Sequence, residues 1–249
     1  MATTSIIVVG ASGRMGARIL ALGATDNEVR IAGAIERAGA PSLGKPAFSP
    51  QIAPNPPLIA EQTREHADVV IDFSSPSGAR AALDLALARS AALLVGTTGL
   101  PPEAVQMLRD ASAKIPVLLS ANTSLGVAAV ADAAARLARA LGPGYRASIV
   151  ESHHIHKKDA PSGTALRLAA AVRDAGGELP DDQILSIRAG DIVGEHTIRF
   201  AGPGEVIDLI HRATSRDLFA LGALRAAKWL HGRAPGWWTM EDVLGFSRS

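Results

Sequence analysis

Short apolar runs alternate with longer alanine-rich stretches along the first half of the chain. The runs are dense in Val, Ile and Leu and end at Gly, Asp or Ser, a pattern typical of buried strands. Because helical spacing separates them, the alternation predicts a parallel sheet covered by helices on both faces. The predicted strands are Ser5–Val9, Val29–Ile35, Val69–Phe73, Leu93–Val95 and Val117–Leu119, and the predicted helices are Arg14–Leu22, Ser77–Arg89, Pro101–Ala113 and Val127–Leu141.

The pattern changes near residue 124, where we expect a domain boundary. A strand at Ala147–Ser152 and a helix from about Ser162 to Ala175 are followed by three apolar runs with short connections. Strands that follow one another without crossover helices indicate a mixed or antiparallel sheet. The three runs are Ile184–Ala189, Thr197–Ala201 and Val206–Ala213, and helical spacing returns at Leu218–Leu230 and Met240–Leu244.

Composition narrows the classes of function. The 249 residues carry a formal net charge of +1, which argues against a nucleic-acid-binding surface. The absence of cysteine excludes disulfides, thiolate metal sites and cysteine nucleophiles. The N-terminus lacks the basic start of a signal peptide, and no apolar run reaches the roughly 18 residues of a spanning helix. We therefore expect a soluble cytoplasmic protein that binds neither nucleic acid nor a membrane.

The first predicted strand runs into a helix through three glycines, Gly10, Gly13 and Gly16. Such a turn lets the main chain approach a pyrophosphate and directs free N–H groups and the helix dipole towards it. Glu36 ends the second predicted strand, where a carboxylate can accept hydrogen bonds from adenosine ribose hydroxyls. The alternative is a tight turn without a ligand and a surface glutamate. Together the glycines and the glutamate favour a dinucleotide.

Two further segments bear on that ligand. Arg37 follows the glutamate, and a guanidinium beside the ribose can meet a 2′-phosphate, although a solvated arginine is equally consistent with the sequence. Gly96-Thr97-Thr98-Gly99 ends another predicted parallel strand, where ligands bind in open α/β sheets. An ordinary turn would explain this second segment equally well.

A polar loop concentrates histidine and lysine, with His153, His154, His156, Lys157 and Lys158 in six positions. Histidine is the usual proton donor near neutral pH, and lysine can donate a proton or hold an anion. Metal ligation by the histidines is the alternative, but no carboxylate shows a convincing ligand spacing. We expect His156 to be structural, because His153 and Lys157 share a four-residue spacing and the adjacent His153 and His154 point to opposite faces.

Ser162, Gly163 and Thr164 open the helix that follows this loop. The N–H groups of a helix N-terminus, together with the two hydroxyls, form a receptor suited to a carboxylate. Simple capping of the helix by Ser162 or Thr164 is the alternative, and it holds whether or not a ligand binds.

These segments together resemble the 4-hydroxy-tetrahydrodipicolinate reductase (dihydrodipicolinate reductase) family of lysine and diaminopimelate synthesis. The resemblance covers essentially the whole chain, and residues 151–165 follow the family signature nearly residue for residue. The other matching segments are 10–16, 36–37, 70–74, 96–99 and 188–196.

The resemblance implies a fold and a reaction. It implies an α/β fold with a Rossmann-like dinucleotide-binding domain at 1–123, joined by the C-terminal residues 216–249. Residues 124–215 would form an α+β domain that binds substrate and builds a homotetramer. The reaction implied is NADH- or NADPH-dependent reduction of a small dicarboxylate, 4-hydroxy-tetrahydrodipicolinate or its dehydrated form, to tetrahydrodipicolinate.

The resemblance also implies roles for individual residues. His153 would be the acid/base group and Lys157 the proton donor. His154, Ser162, Gly163 and Thr164 would bind the substrate carboxylates. The cofactor would be lined by Gly10, Ala11, Ser12, Gly13, Arg14, Met15, Glu36, Arg37, Gly96, Thr97, Thr98, Ser120, Ala121, Asn122, Thr123 and Arg216.

Two departures from the family and two rival functions remain. Thr123 stands where the family usually has Phe, which removes a ring contact. The segment between the Ser162 helix and Ile184 is shorter than is usual in the family. A semialdehyde dehydrogenase is one rival, but those enzymes favour a cysteine nucleophile. A dinucleotide-sensing regulator is the other, and it would have no use for His153 and Lys157.

Overall fold

A computed structural model describes residues 3–246, and the chain forms two compact units. The first unit contains the residues up to Thr123 together with those from Phe219 onwards. The second unit is Ser124–Leu218. The chain therefore leaves the first unit once and returns to it through a C-terminal helix.

The first unit is built on a seven-stranded parallel sheet with the order β11-β6-β5-β4-β1-β2-β3. Its neighbouring strands all pair in parallel, as the near-continuous apolar runs predict. The strands are β1 (Thr4–Val9), β2 (Val29–Ile35), β3 (Ile59–Ala60), β4 (Val69–Asp72), β5 (Ala92–Val95), β6 (Pro116–Leu119) and β11 (Gly236–Trp238). The helices are α1 (Arg14–Gly23), α2 (Pro76–Arg89), α3 (Pro102–Ala111), α6 (Asp217–Leu230) and α7 (Met240–Val243).

Alanine and branched aliphatic residues form the core of this sheet. Val70, Leu93 and Val117 are fully buried and pack with Ala82 of α2 and Leu108 of α3. Ala82 leaves room for the helix to approach the strands closely. The strands β3 and β11 were not predicted, because two or three residues are too short to show a period.

The second unit has a four-stranded mixed sheet with the order β10-β9-β7-β8. Strands β7 and β8 pair in parallel, whereas the other two pairings are antiparallel. The strands are β7 (Arg146–His153), β8 (Ile184–Arg188), β9 (Gly194–Gly202) and β10 (Glu205–Ala213), and the helices are α4 (Leu125–Leu141) and α5 (Gly163–Asp174).

One face of this second sheet is covered and the other is exposed. Ile149 and Ile198 are fully buried with Phe200 in a core that includes Leu168 of α5 and Val127 of α4. The intervening residues along β7 and β9 point to the other face. The predicted α/β fold, with a parallel sheet and a second mixed sheet, is confirmed.

Among the described residues, no helix combines the length and the apolar character that crossing a membrane requires.

Candidate active site

The residues predicted to bind a dinucleotide follow the carboxyl ends of parallel strands in one sheet. Strands β6, β5, β4, β1 and β2 are neighbours in the sheet, so the segments after them share one edge. The segments are 10–15 after β1, 36–37 after β2, 96–98 after β5 and 120–123 after β6. The fold thus collects them although they are spread over more than 100 positions.

Two glycines of the first turn are required by close main-chain contacts. Gly10 has φ +80°, and a Cβ there would lie 2.4 Å from the carbonyl oxygen of Phe73. A Cβ at Gly16 would lie 2.1 Å from the carbonyl oxygen of Gly10. Gly13 precedes α1 and makes no side-chain cap bond to the helix. The first N–H groups of α1 therefore receive no side-chain cap from Gly13 and can serve an anion.

Glu36 lies directly beside this turn. Its carboxylate accepts hydrogen bonds from the main-chain N–H and the hydroxyl of Ser12, at 3.1 and 2.6 Å. Burial opposes its ionisation, but the bonds from Ser12 and from the N–H of Arg37 outweigh burial and lower the pKa of Glu36. The side chain of Arg37 is exposed. The residues present therefore fit the ribose and pyrophosphate of a dinucleotide.

Asp72, at the end of β4, is a residue of this edge to which the sequence analysis gave no role. It is fully buried, and its carboxylate accepts hydrogen bonds from the hydroxyls of Ser74 and Thr97. The hydroxyl of Thr97 also accepts from the N–H of Ser74 at 2.8 Å. Burial raises the pKa of Asp72 against these bonds. The Thr97 hydroxyl thus ties the ends of β4 and β5 together.

For three other predicted cofactor residues, the structure shows bonds within the chain or an exposed position. Thr123 is buried, and its hydroxyl donates to the carbonyl of Phe219 at 2.6 Å, so its side chain serves the fold. Ser120 donates to the carbonyl of Asn122 at 2.7 Å. Arg216 is exposed and belongs to the second unit. Its role towards a cofactor stays a prediction.

In the second unit, the start of α5 has the form that the sequence predicts. Ser162 caps the helix, since its hydroxyl accepts from the N–H of Ala165 at 3.2 Å. Gly163 is exposed, and a Cβ there would have no heavy atom within 4 Å. Thr164 is half-buried. The helix N-terminus is therefore capped by Ser162, and the N–H of Gly163 donates to the Asp159 carboxylate. No heavy atom crowds the surface at Gly163.

His153 ends β7 and contacts Glu151, which in turn is bound by Arg188. Its Nδ1 contacts a carboxylate oxygen of the buried Glu151. Arg188, at the end of β8, donates to both oxygens of Glu151, at 2.8 and 3.0 Å. Burial opposes ionisation of Glu151, but hydrogen bonds from Arg188, Ser186 and His153 outweigh it and lower the pKa of Glu151 to about 2.

A second buried histidine lies against the first. The rings of His153 and His196 are 5.2 Å apart in an edge-to-face arrangement, and Nε2 of His196 is 3.2 Å from the Ser162 hydroxyl. Burial lowers the pKa of His196 to about 4, and nearby His153 adds to that effect. His196 is therefore neutral near pH 7 and joins the cluster to the cap of α5. Burial also lowers the pKa of His153, against the opposing effect of Glu151.

The rest of the loop is more exposed. Lys157 is half-buried and pairs with Asp159, with 2.9 Å between Nζ and a carboxylate oxygen. Hydrogen bonding to Lys157 lowers the pKa of Asp159. His154 is half-buried and His156 is exposed, with ring centroids 6.2 Å apart. Of these side chains, Lys157 lies close enough for its charge to act on His153.

The cluster also contains a possible set of metal ligands. Glu151, His153 and His196 each offer one ligand atom, all within 4.8 Å of one another. The sequence suggested no carboxylate with convincing ligand spacing, whereas the structure brings Glu151 to both rings. Both oxygens of Glu151 already accept from Arg188, and a divalent cation would lie next to that guanidinium. We therefore interpret the cluster as a hydrogen-bonded network.

Sequence reasoning gave no role to Glu151, Arg188 and His196. One signal was available, because Glu151 stands two residues before His153 and so faces the same side of a strand. Arg188 and His196 could not be found in this way, since they reach the cluster through the register of β8 and β9 against β7.

Comparisons with known proteins agree along the whole chain. The family model "Dihydrodipicolinate reductase, N-terminus" matches residues 4–123, and "Dihydrodipicolinate reductase, C-terminus" matches residues 126–244. A 4-hydroxy-tetrahydrodipicolinate reductase of Myxococcus xanthus is 42% identical, over 98% of this chain and 98% of its own length. One of Stenotrophomonas maltophilia is 47% identical, over 96% and 97%.

The fold is also similar to that of a solved structure. A dipicolinate-bound dihydrodipicolinate reductase from Paenisporosarcina superimposes with a TM-score of 0.77 at 19% identity, covering 95% of this chain and 97% of the other. The resemblance drawn from the sequence is confirmed, and so is the function of an NAD(P)H-dependent oxidoreductase that it implies. The chain belongs to the dihydrodipicolinate reductase family.

Proposed function

We propose that this chain transfers a hydride from NADH or NADPH to C4 of the dipicolinate-derived ring and delivers a proton to the neighbouring carbon, giving tetrahydrodipicolinate. The observation that carries the proposal is the His153 cluster, which a hydrogen bond between His196 and Ser162 joins to the N-terminus of α5. The bound nicotinamide supplies the hydride, and the chain supplies binding, orientation and the proton. We propose that it acts in the cytoplasm.

The first unit is proposed to bind either dinucleotide. The N–H groups of the glycine turn and of the first turn of α1 suit the pyrophosphate, and Glu36 beside Ser12 suits the ribose hydroxyls. The exposed guanidinium of Arg37 follows the same carboxylate and can pair with a 2′-phosphate. This juxtaposition supports use of both cofactors.

The second unit is proposed to bind the two substrate carboxylates and to move the proton. The main chain of Gly163 and Thr164 suits one carboxylate, because a helix N-terminus favours an anion and no heavy atom crowds Gly163. His154 is proposed to bind the second carboxylate. Lys157 then donates the proton and His153 acts as the acid/base group.

We further propose that the exposed face of the second sheet builds a homotetramer. The register aligns Leu185, Val150, Thr197 and Ile210 in one row across all four strands. Leu185, Val150 and Ile210 are 56%, 37% and 45% exposed, and exposed large apolar side chains gathered on a sheet face indicate an interaction surface. Light scattering should give four chains for the wild type and fewer for Leu185→Asp or Ile210→Asp. A wild-type monomer would contradict the proposal.

The reaction is tested by NAD(P)H absorbance with the freshly made product of the preceding synthase. We expect substrate-dependent oxidation with each cofactor. A dinucleotide-sensing regulator would bind NADH or NADPH but oxidise neither, and a semialdehyde dehydrogenase would leave this substrate unchanged.

A further inference from the structure

Resting on the proposed function, we infer that Glu151 and Arg188 are a positioning pair that fixes the tautomer of His153 and leaves its Nε2 for proton exchange. The pair deepens the role proposed for His153, since neither residue has to touch the substrate. It acts through one hydrogen bond and through the charge balance around that bond.

The tautomer follows from the state of Glu151. An ionised carboxylate has only acceptor sites, so the nitrogen of His153 that contacts it must carry a proton. Glu151 stays ionised because Arg188 donates to both of its oxygens and the N–H of Ser162 donates to one at 3.2 Å. His153 therefore carries its proton on Nδ1, and its second nitrogen is the one that gains or loses a proton.

Gly194 leaves space beside that second nitrogen. A Cβ at Gly194 would lie 3.0 Å from Nε2 of His153, so a larger residue would cover the nitrogen. Gly194 begins β9, and its φ is not in the left-handed region, so backbone strain does not require glycine there. The space beside Nε2 is the physical reason for glycine at this position.

Arg188 also sets the charge that His153 experiences. Alone, the buried carboxylate of Glu151 would strongly favour the imidazolium form, whereas the nearby guanidinium opposes it. The two residues thus act on His153 in opposite directions. The other ionisable groups near His153 are Lys157 on the loop, His196 on β9 and, beyond His196, His211 on β10. Lys157 in turn pairs with Asp159.

Because Glu151 and Arg188 act on the pKa of His153 in opposite directions, their variants distinguish a positioning role from a merely structural one. Nitrogen-15 NMR of the histidine rings, with His153→Gln to assign the signals, reports both tautomer and pKa. We expect the Nδ1–H form of His153 in the wild type. Glu151→Gln should mix the tautomers and lower the pKa of His153, and Arg188→Gln should raise it. Arg136→Gln, which breaks an exposed ion pair with Asp132 in the same unit, should change neither property.

Turnover is the second readout. Glu151→Gln should lower kcat at least about tenfold with little change in the substrate KM. An Nε2–H tautomer in the wild type would overturn the inference, even if Glu151→Gln failed to fold. Shifts of the same sign in both variants would also overturn it. A fixed Nδ1–H tautomer without any reductase activity would instead overturn the proposed function and leave the positioning pair intact.

Discussion

Gly10 and Gly163 stand in similar places, each at the entry to a helix, yet their surroundings differ. A Cβ at Gly10 would lie 2.4 Å from a carbonyl oxygen, whereas the same atom at Gly163 would have no heavy atom within 4 Å. The first glycine is required by the packing of the first unit itself. The second is not required by packing, so a requirement for it would come from a ligand.

The two units also differ in what they offer a ligand. The edge of the first unit presents mainly main-chain N–H groups and the carboxylate of Glu36. The second unit gathers the charged or titratable side chains of Glu151, Arg188 and His153 in a buried network. The difference agrees with the proposal that the first unit binds the dinucleotide and the second unit moves the proton.

The largest effect is expected from removing the two proposed proton-transfer groups, His153 and Lys157. His153→Gln and Lys157→Ala should each lower kcat by at least about tenfold, because a positioned general acid contributes about 100- to 10,000-fold. NADH affinity, measured by fluorescence, should stay near the wild-type value. His156→Gln is the control, since that side chain is exposed and has no proposed chemistry. A crippled His156→Gln beside an active His153→Gln would reverse the assignment.

The next effect concerns the steric requirement in the first unit. Gly16→Ala should destabilise the protein by about 1–3 kcal/mol, because its Cβ would lie 2.1 Å from the carbonyl oxygen of Gly10. Urea unfolding measures the change. Gly163→Ala is the matched control at the other helix entry and should leave the unfolding free energy almost unchanged. Equal losses of stability in both variants would contradict the claim that packing requires glycine only in the first unit.

Gly163→Val tests the ligand requirement in the second unit. The side chain has room in the free protein but would stand where a carboxylate approaches the helix N–H groups. The substrate KM should therefore rise by about tenfold, while the melting temperature and the NADH affinity stay unchanged. An unchanged KM would show that no substrate oxygen comes close to Gly163.

Acid should affect the contributions of His196 and Asp72 in opposite directions. The pKa of His196 is about 4 in the folded chain against an ordinary 6.5, so its contribution is lost as pH falls from about 6.5 to 4. Glu151, at about 2 against 4.5, adds a loss between those two values. Asp72 has a raised pKa, so its contribution is present below its ordinary value of 3.8 and is lost as pH rises through the folded value.

Unfolding of His196→Gln and Asp72→Asn across pH 3–7 measures these contributions. His196→Gln should remove an acid-induced loss that approaches about 1.4 kcal/mol for each pH unit within its range. Asp72→Asn should remove a dependence of the opposite sign. The same sign in both variants would contradict the opposite pKa shifts of His196 and Asp72.

The smallest effect is expected at the exposed Arg37. Arg37→Ala should raise the KM for NADPH several-fold and the KM for NADH less, because only NADPH carries the 2′-phosphate. Steady-state kinetics with each cofactor measure the ratio. Equal effects would mean that the guanidinium does not reach the ribose.

The sequence alone determined the parallel sheet, the glycine turn with Glu36 and the loop that carries His153 and Lys157. These features are local, because burial on both sheet faces makes apolar strands, and helix entries need particular residues within a few positions. Most long strands and helices were therefore predicted close to their observed ends, but β9 begins at Gly194, three residues before the predicted Thr197. The strands β3 and β11 were too short to show a period.

Only the tertiary structure decided which side chains meet. Strand register brings Arg188 and His196 to Glu151 and His153, and no local pattern records a pairing between distant strands. The tertiary structure also determines the partners of two residues predicted to line the cofactor. The hydroxyl of Thr97 donates to Asp72, and that of Thr123 donates to the Phe219 carbonyl. A buried hydroxyl must find a partner, and the fold determines which partner lies within reach.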